Sequence, residues 1–438
     1  MALKVCKFGG TSVADAGQLR QVQGIVEADA GRRWVVPSAP GKRHSADQKV
    51  TDLLYLCHEH AKRGVAFGEV FELICGRYRD IVAGLALDCD IDALLTEIRD
   101  EIQHGAGPDY CARRGEVRTG PIVAALLGFE FVDPAEIIHF GSRGEFLPEQ
   151  TQESVGTRLR GEGRYVVSGF YGSQPNGAIK TFSRGGSDIT GAIVARGVGA
   201  DIYENWTDVS GLLMADPRVV QDPKKIEVLT YRELRELAYM GATVLHDEAI
   251  FPVRESGIPV NIRNTNEPEE PGTMIIRSDR ELSLTGEITG IAGRKGFTII
   301  QVEKTLMNAE VGFGRRILSV LERNGISFEH MPSGIDTLSL IVNGGNLEPK
   351  LDDVLEEIRV VCKPDHLEVE HGIALIATVG RGMMRTPGMA AKVFSALADA
   401  GVNIRMIDQG SGELNIIVGV KDEQFQTAQN AIYTAFVG

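Results

Sequence analysis

The sequence predicts an α/β protein: a largely parallel sheet covered by helices over roughly the first 280 residues, then two copies of a ferredoxin-like βαββαβ unit. Three observations predict it. Strand-like and helix-like stretches alternate through the first part of the chain. A stretch rich in proline, glycine and glutamate, "NTNEPEEPGT" (264–273), then marks a domain edge just beyond it. Past residue 285 the chain repeats itself.

Taken in order, "LKVCKF" opens as an apolar strand, a helix follows with Leu19, Val22 and Val26 on one face, and "RWVVPSA" is the next strand. Further strands are "FEFV" (129–132), "RYVVSGF" (164–170), "DIYENW" (201–206) and "IPVNI" (258–262), with helical stretches between most of them. In the second part, residues 298–342 lie without a gap on 374–418, sharing among others Ile300/Ile376, Met307/Met383, Gly312/Gly388 and Gly325/Gly401. Each copy reads as strand, loop, helix (Ile317–Arg323; Val393–Asp399), glycine stop, strand, turn, strand and a second helix such as "LDDVLEEI". The expected domains are therefore 1–280, 288–365 and 366–438. A duplicated unit of this kind either senses a small anion through the backbone N–H groups of its glycine-bearing loops or serves only to pair subunits.

Composition excludes several function classes. With 438 residues and 43% hydrophobic content, each domain buries a real core. A formal charge of −14, with no basic stripe interleaved with aromatics, argues against nucleic acid. Lys4, Lys7 and Gly9 interrupt any apolar N-terminal stretch and no run reaches transmembrane length, so a cytoplasmic location with no membrane association is expected. The six cysteines form no CxxC pair and the nine histidines no HExxH, which argues against disulfides and zinc; His58 and His60, two residues apart, and His246 read as surface or core residues. No GxSxG is present.

Three stretches concentrate small, flexible and charged residues where a ligand of an open α/β sheet binds, beyond the carboxyl ends of strands. In "KFGGTS" (7–12), Gly9 and Gly10 let the backbone approach a ligand, and Lys7 on the strand end points its ammonium at phosphate oxygens; the plain alternative is an ordinary strand-to-helix turn. In "TFSRGGSDITGA" (181–192), Arg184 precedes a glycine pair, and Ser187 and Asp188 fall where an N-cap and first helical turn belong. Asp188 is equally explained as an acid favouring the helix dipole. In "NWTDVSGLLMADPRVV" (205–220), Thr207 and Asp208 follow a strand end and Asp216-Pro217-Arg218 forms a turn, which is also what a plain surface loop does. Together the three loops make a phosphate-handling enzyme the leading reading.

With these residues in place, the sequence resembles the aspartokinases of the amino-acid kinase fold over nearly its whole length. "KFGGTSV", "FSRGGSDITGA", "WTDVSGLLMADPRVV", "ELAYMGATVLHDEAI", "EHMPSGID" and "MIDQGSGELNI" occur in family order. The resemblance implies a three-layer α/β/α kinase domain followed by two ACT domains. It implies ATP and Mg²⁺, with the metal carried by the nucleotide, and phosphorylation of the L-aspartate side chain, the first step toward lysine, threonine and methionine. By the same resemblance Lys7, Gly9, Gly10, Thr207, Asp208 and Arg218 surround ATP, with Asp188 beside the transferred phosphoryl group. Arg184 takes the α-carboxylate of aspartate, and Ser38, Thr51, Phe170 and Ser187 complete that pocket.

The family's substrate-binding glutamate sits in "SRGE", and this chain offers "ARRGE" (112–116) and a literal "SRGE" (142–145). The family motif precedes a helix and then "FVDPAEII", here 131–138, so Glu116 is the match and Glu145 a coincidence. Arg113 then stands where the family has serine, and Thr243 where some relatives carry a nucleotide-contacting lysine. The ACT resemblance implies an end-product effector, lysine and/or threonine, and a homodimer paired through these repeats, with higher assemblies left open. Effector contacts are expected around Met307, Gly312, Glu329, Ser333 and Asp336, with Asn403, Ile404 and Gln409 in the second unit. Because one ACT unit is inserted within the other in this family, the strand at 288–304 is expected to be shared with the second. No homoserine dehydrogenase module is expected after Gly438. The competing readings are another kinase of this fold with a glutamate-type acceptor, and a catalytically inactive amino-acid sensor.

Overall fold

The computed structural model describes residues 1–182, 185–242, 250–277, 286–384 and 386–438. They fall into two units, Met1–Leu212 with Glu227–Tyr231 and Val244–Arg280, and Leu213–Ile226 with Arg232–Thr243 and Glu281–Gly438.

The first unit is built on an eight-stranded sheet. Its strands are β1 (Lys4–Phe8), β2 (Arg32–Pro37), β3 (Glu130–Val132), β4 (Tyr165–Val167), β7 (Ile202–Thr207), β8 (Val228–Thr230), β9 (Val260–Asn264) and β10 (Thr273–Ile276); β5 (Tyr171–Ser173) and β6 (Ile179–Thr181) form a separate hairpin. The order is β8-β10-β9-β7-β1-β2-β4-β3, parallel throughout except between β9 and β10. All six strands expected from the sequence in this part are present. The hairpin, β8 and β10 were not read, being three or four residues long and, for β10, lying directly after the proline-rich stretch. Central strands of a parallel sheet are covered on both faces, so β1 and β2 read as near-continuous apolar runs; Val5, Cys6, Phe8, Val35 and Val36 are fully buried.

Four helices, α2 (Val50–Lys62), α3 (Gly68–Leu85), α4 (Ile91–Gln103) and α5 (Pro108–Leu127), fill the interval before β3, after α1 (Ala16–Glu27) and ahead of α6 (Pro148–Leu159) and α7 (Gly186–Val198). Proline at the first position of α5 costs no hydrogen bond, and Gly128, with φ 67°, ends it. Leu19, Val22 and Val26 of α1 face the core as their spacing predicts.

The second unit carries a six-stranded antiparallel sheet of β11 (Gly290–Glu303), β12 (Phe328–His330), β13 (Thr337–Asn343), β14 (His366–Val379), β15 (Met406–Asp408) and β16 (Asn415–Lys421), ordered β12-β13-β11-β14-β16-β15. Four long helices accompany them: α9 (Phe313–Arg323) and α10 (Leu351–Cys362), then α11 (Met389–Asp399) and α12 (Phe425–Val437). α9 and α11 begin earlier than the apolar periodicity suggested, each behind a glycine at positive φ, Gly312 and Gly388. Two apolar clusters result: Phe313, Ile317, Leu321 and Ile358 belong to one, Met389, Val393, Leu397 and Ile432 to the other.

β11 and β14 each run through both repeats. Residues 299–303 of β11 pair with 366–370, whereas 290–294 pair with 375–379. The first half of β11 thus pairs with the second repeat and the remainder starts the first. The change falls at a register shift between Arg294 and Phe297, where Gly296 has φ 85°.

In the first unit the loops after β1 and β2 are pressed together. The Gly41 N–H donates to the Gly10 carbonyl at 2.8 Å, and a Cβ at Gly41 would lie 2.5 Å from the Gly10 carbonyl carbon. Backbone on backbone cannot yield as a side chain can. Gly41→Ala is therefore expected to lower stability by about 1–3 kcal/mol, read as a fall in Tm.

Candidate active site

β1 pairs in parallel with β7 so that Lys7 stands opposite Asn205, and paired residues on adjacent strands project from the same face. The first turn of α7 brings Asp188 to that face. Lys7 Nζ lies 2.6 Å from Asp188 Oδ1, and Asn205 Nδ2 donates to the same oxygen at 2.8 Å. Asp188 is thereby engaged by the strands, and its cap-only explanation gives way. The N-cap of α7 is Gly185, at φ 58°, which moves Ser187 from the expected cap into the helix.

Ser187 turns to α5 instead. Its Oγ donates to Glu116 Oε1 at 2.9 Å. Glu116 is 6% exposed, and its Oε2 is buried with no hydrogen-bond partner. Burial dominates its chemistry and pushes the carboxyl up to about 7, against the opposing influence of the Ser187 hydroxyl, the nearby Ala39 amide and the Lys7 charge. The backbone is shaped around it. A Cβ at Gly169 would sit 2.6 Å from Glu116 Oε2, and Ser168 Oγ donates to the Glu116 carbonyl at 2.9 Å. Phe170 follows at φ 81°, a left-handed conformation held by a hydrogen bond from its N–H to Thr190 Oγ1, 3.1 Å. A Cβ at Gly186 would strike its ring at 2.3 Å.

A lysine beside paired glycines, a strand asparagine and a helix N-terminus aimed at one point form a phosphate-handling end. A few side chains away, a buried carboxylate with an open oxygen forms a cation-accepting end.

Comparison with known proteins decides the family. The amino acid kinase family model matches residues 2–264 and an ACT domain model residues 376–436. Aspartokinase 3 of Bacillus subtilis is 40% identical over 99% of this chain and 98% of its own. The chain belongs to the aspartokinase family. The crystal structure of Clostridium acetobutylicum aspartate kinase superposes with a TM-score of 0.92 at 52% identity, each chain covered completely. Escherichia coli aspartokinase III in complex with aspartate and ADP, described as its R-state, gives 0.76 at 26% identity, again over all of both chains. The aspartokinase fold expected from the sequence, a kinase domain and ACT-type antiparallel region, is the one observed.

Of the residues predicted for this aspartokinase site, Lys7 with Asp188, and Glu116 with Ser187, are in direct contact, and Phe170 packs on the glycine preceding Ser187. Gly9 donates its N–H to the Trp206 carbonyl at 2.9 Å and Ser38 its own to the Phe8 carbonyl at 3.0 Å, which fixes the loop ends around Lys7. Thr207 ends β7 and donates to Asp208 Oδ1 at 3.2 Å. Thr51 is the second residue of α2 and is half-buried. Arg218 falls in the second unit, exposed and paired with Asp216 at 2.7 Å. Arg184, Thr243 and His246 lie outside the described residues. Glu145 is exposed and accepts the N–H of Arg143 in its own loop, 3.0 Å.

In the ACT region, Met307 is buried in the first cluster and Gly312 caps α9. Glu329 accepts from Tyr239 Oη, and Ser333 bridges to Leu338. Asp336 Oδ1 accepts the Leu306 N–H at 2.9 Å. Asn403 and Gln409 are exposed and Ile404 is half-buried. Sequence reasoning missed Asn205, Gly169 and Gly41. Asn205 lay inside a quoted stretch, and only its register opposite Lys7 shows its use.

The raised pKa of Glu116 gives a stability signature. Its folded-state value lies above the ordinary 4.5, so the folded chain binds more protons than the unfolded one between pH 4.5 and about 7, and stability falls as pH rises through that window. Glu116→Gln removes this dependence. Unfolding of the substrate-free protein should show the variant matching wild type near pH 4.5 and gaining roughly 3 kcal/mol by pH 8.

Proposed function

We propose that this aspartokinase transfers the γ-phosphoryl group of ATP to the side-chain carboxylate of L-aspartate, giving 4-phospho-L-aspartate and ADP. A carboxylate oxygen attacks the γ-phosphorus, the bond to the β–γ bridging oxygen breaks, and its electrons leave with ADP. A carboxylate is already a nucleophile, so no general base is required. The observation that carries the reading is Lys7, held between Asp188 and the paired-glycine loop with its ammonium at the carboxyl end of β1. The Escherichia coli enzyme supports it, since its structures hold aspartate together with ADP or with lysine.

Each group then has a role. The Lys7 ammonium, the Gly10 N–H and the N–H groups of the α7 N-terminus neutralise charge on the moving phosphoryl, while Gly9 lets the loop approach it. Asn205 and Asp188 aim the lysine. Glu116 accepts the substrate ammonium, which restores the ionised form that burial disfavours, with Ser187 orienting it; Ser38, Thr51, Phe170 and Arg184 complete the pocket. Thr207 and Asp208 serve the nucleotide. Mg²⁺ would arrive on the ATP phosphates, where it would add charge neutralisation, with Asp188, the carboxylate in contact with Lys7, to face it. No helix among the described residues is long and apolar enough to cross a membrane.

The two ACT repeats carry feedback by an end-product amino acid, lysine and/or threonine, and pair two subunits. Their short outer strands expose Phe328 and Ile407, apolar edges that a second copy would cover. Glu329 and Asp336 are the acidic groups placed to meet an effector ammonium.

Aspartyl phosphate trapped as hydroxamate, with and without lysine or threonine, tests both parts. ATP-dependent product suppressed by one of them is the expected result, and no product from aspartate would sink the reading. Lys7→Met should lower kcat by orders of magnitude while leaving the Tm near wild type; near-normal turnover would remove Lys7 from the mechanism. Glu116→Ala should raise the aspartate KM, whereas Glu145→Ala leaves it unchanged.

A further inference from the structure

We propose that Arg113 is a specificity-determining residue of this enzyme, its guanidinium adding a second cation, besides Arg184, for the α-carboxylate of the amino-acid acceptor, next to the ammonium site at Glu116. The inference rests on the aspartate kinase reading above and adds to it a group that the aspartokinase pattern, with serine at this position, does not contain.

Arg113 lies one helical turn before Glu116, so the two share a face of α5. Its guanidinium is stacked between the rings of Tyr110 and Tyr171, 4.5 and 5.3 Å from their centroids. Tyr171 is itself fixed, fully buried with its hydroxyl donating to Asp133 Oδ1 at 2.8 Å. It directly follows Gly169 and Phe170, the segment pressed against Glu116 and α7. Arg113 and Glu116 therefore line one continuous wall.

What sets Arg113 apart is that, among the described residues, its guanidinium meets tyrosine rings and no carboxylate. Its Nε is buried without a hydrogen-bond partner. Arg114, Arg118 and Arg263 also bury an unpartnered Nε, yet each of them faces a carboxylate through its terminal nitrogens: Arg114 and Arg118 meet Glu97, and Arg263 meets Glu204. Arg113 has no such pair among the described residues. Stacking on tyrosine faces uses the charge and leaves all the N–H donors free. A buried donor left open costs stability, and Glu116 Oε2 on the same helix face is open as well. A cation and an anion a turn apart that do not pair with each other complement a ligand bearing both charges. An α-amino acid presents its ammonium and its α-carboxylate in that way, and a guanidinium held flat between two rings is organised for a two-pronged carboxylate contact.

The test compares wild type with Arg113→Met and Arg113→Lys, using L-aspartate and its α-amide, which keeps the side-chain carboxylate but lacks the α-carboxylate charge. The expected result for Arg113→Met is an aspartate KM raised about 10- to 100-fold, with kcat within about threefold and the ATP KM unaltered. Its preference for aspartate over the α-amide should fall by the same factor. Arg113→Lys keeps the charge on the tyrosines and should fall between the two, which separates lost recognition from lost folding. An unchanged aspartate KM, a loss confined to kcat, or an unaltered preference between the two acceptors would overturn the proposal. Failure of the wild-type enzyme to phosphorylate aspartate at all would instead overturn the functional reading on which it rests.

Discussion

A single carboxylate oxygen, Asp188 Oδ1, organises the catalytic end of this molecule. It receives the ammonium of Lys7 and the amide of Asn205, and it can do so only because β1 and β7 run parallel in the register that sets those two side chains next to each other. At an effective dielectric of about 20 the attraction at this separation is roughly 6 kcal/mol, most of it offset by desolvation of the two ions. The pair therefore contributes orientation more than net stability. An ammonium held this way is poised at the strand end without being locked there, because phosphate oxygens carry more charge than one carboxylate and can draw it over. The glycine loop, the α7 N-terminus and the packing of Gly10 against Gly41 are all arranged about that point.

The acceptor end is governed by a different constraint. Glu116 is buried in a wall whose backbone has been cut away to admit it, with Gly169 against its carboxylate, Phe170 in a left-handed conformation and Gly186 bare beneath the phenyl ring. Strained backbone and an unsatisfied carboxylate both cost stability, and they occur together here because the neighbouring structure overdetermines them. In the proposed reaction a substrate ammonium would supply the close cation that burial leaves Glu116 needing. Recognition and relief of burial then become a single event.

The sequence made the sheet legible because parallel central strands are apolar runs bounded by glycine and polar clusters, and the three loops at their ends stood out by residue type. The site was legible in Lys7 and Asp188, which stand beside glycine pairs at the ends of strands, whereas Glu116, inside α5, was reached only through the family resemblance. The neutral members of the site were not legible. Asn205 matters only through cross-strand register, and Gly169 and Gly41 only through close approach of backbone, which no local pattern encodes. The N-cap of α7 was misread for a related reason: serine and aspartate are the usual capping residues, but here Gly185 takes the left-handed turn and frees both side chains for Glu116 and Lys7.

The repeat illustrates how sequence continuity and structural continuity separate. The two copies align without a gap from 298 and from 374, yet the hydrogen-bond ladder assigns 290–294 to the partners of the second copy and 366–370 to those of the first. Neither copy can complete its sheet alone, because the outer neighbour of its first strand is lent by the other. The exchange is possible because β11 and β14 are each long enough to run through both halves, and because Gly296 at φ 85° accommodates the register shift between them. His330 of the first copy also pairs with Asp408 of the second. A perturbation at one copy therefore acts on strands that belong to the other, which is the property a paired sensor needs and a pair of independent domains would lack. Glu329, next to His330 on β12, accepts from Tyr239, whose own hydroxyl is pushed up to about 12 by burial and by that carboxylate. A ligand ammonium competing for Glu329 would have to displace a neutral phenol, which surrenders a carboxylate far more readily than a paired cation does.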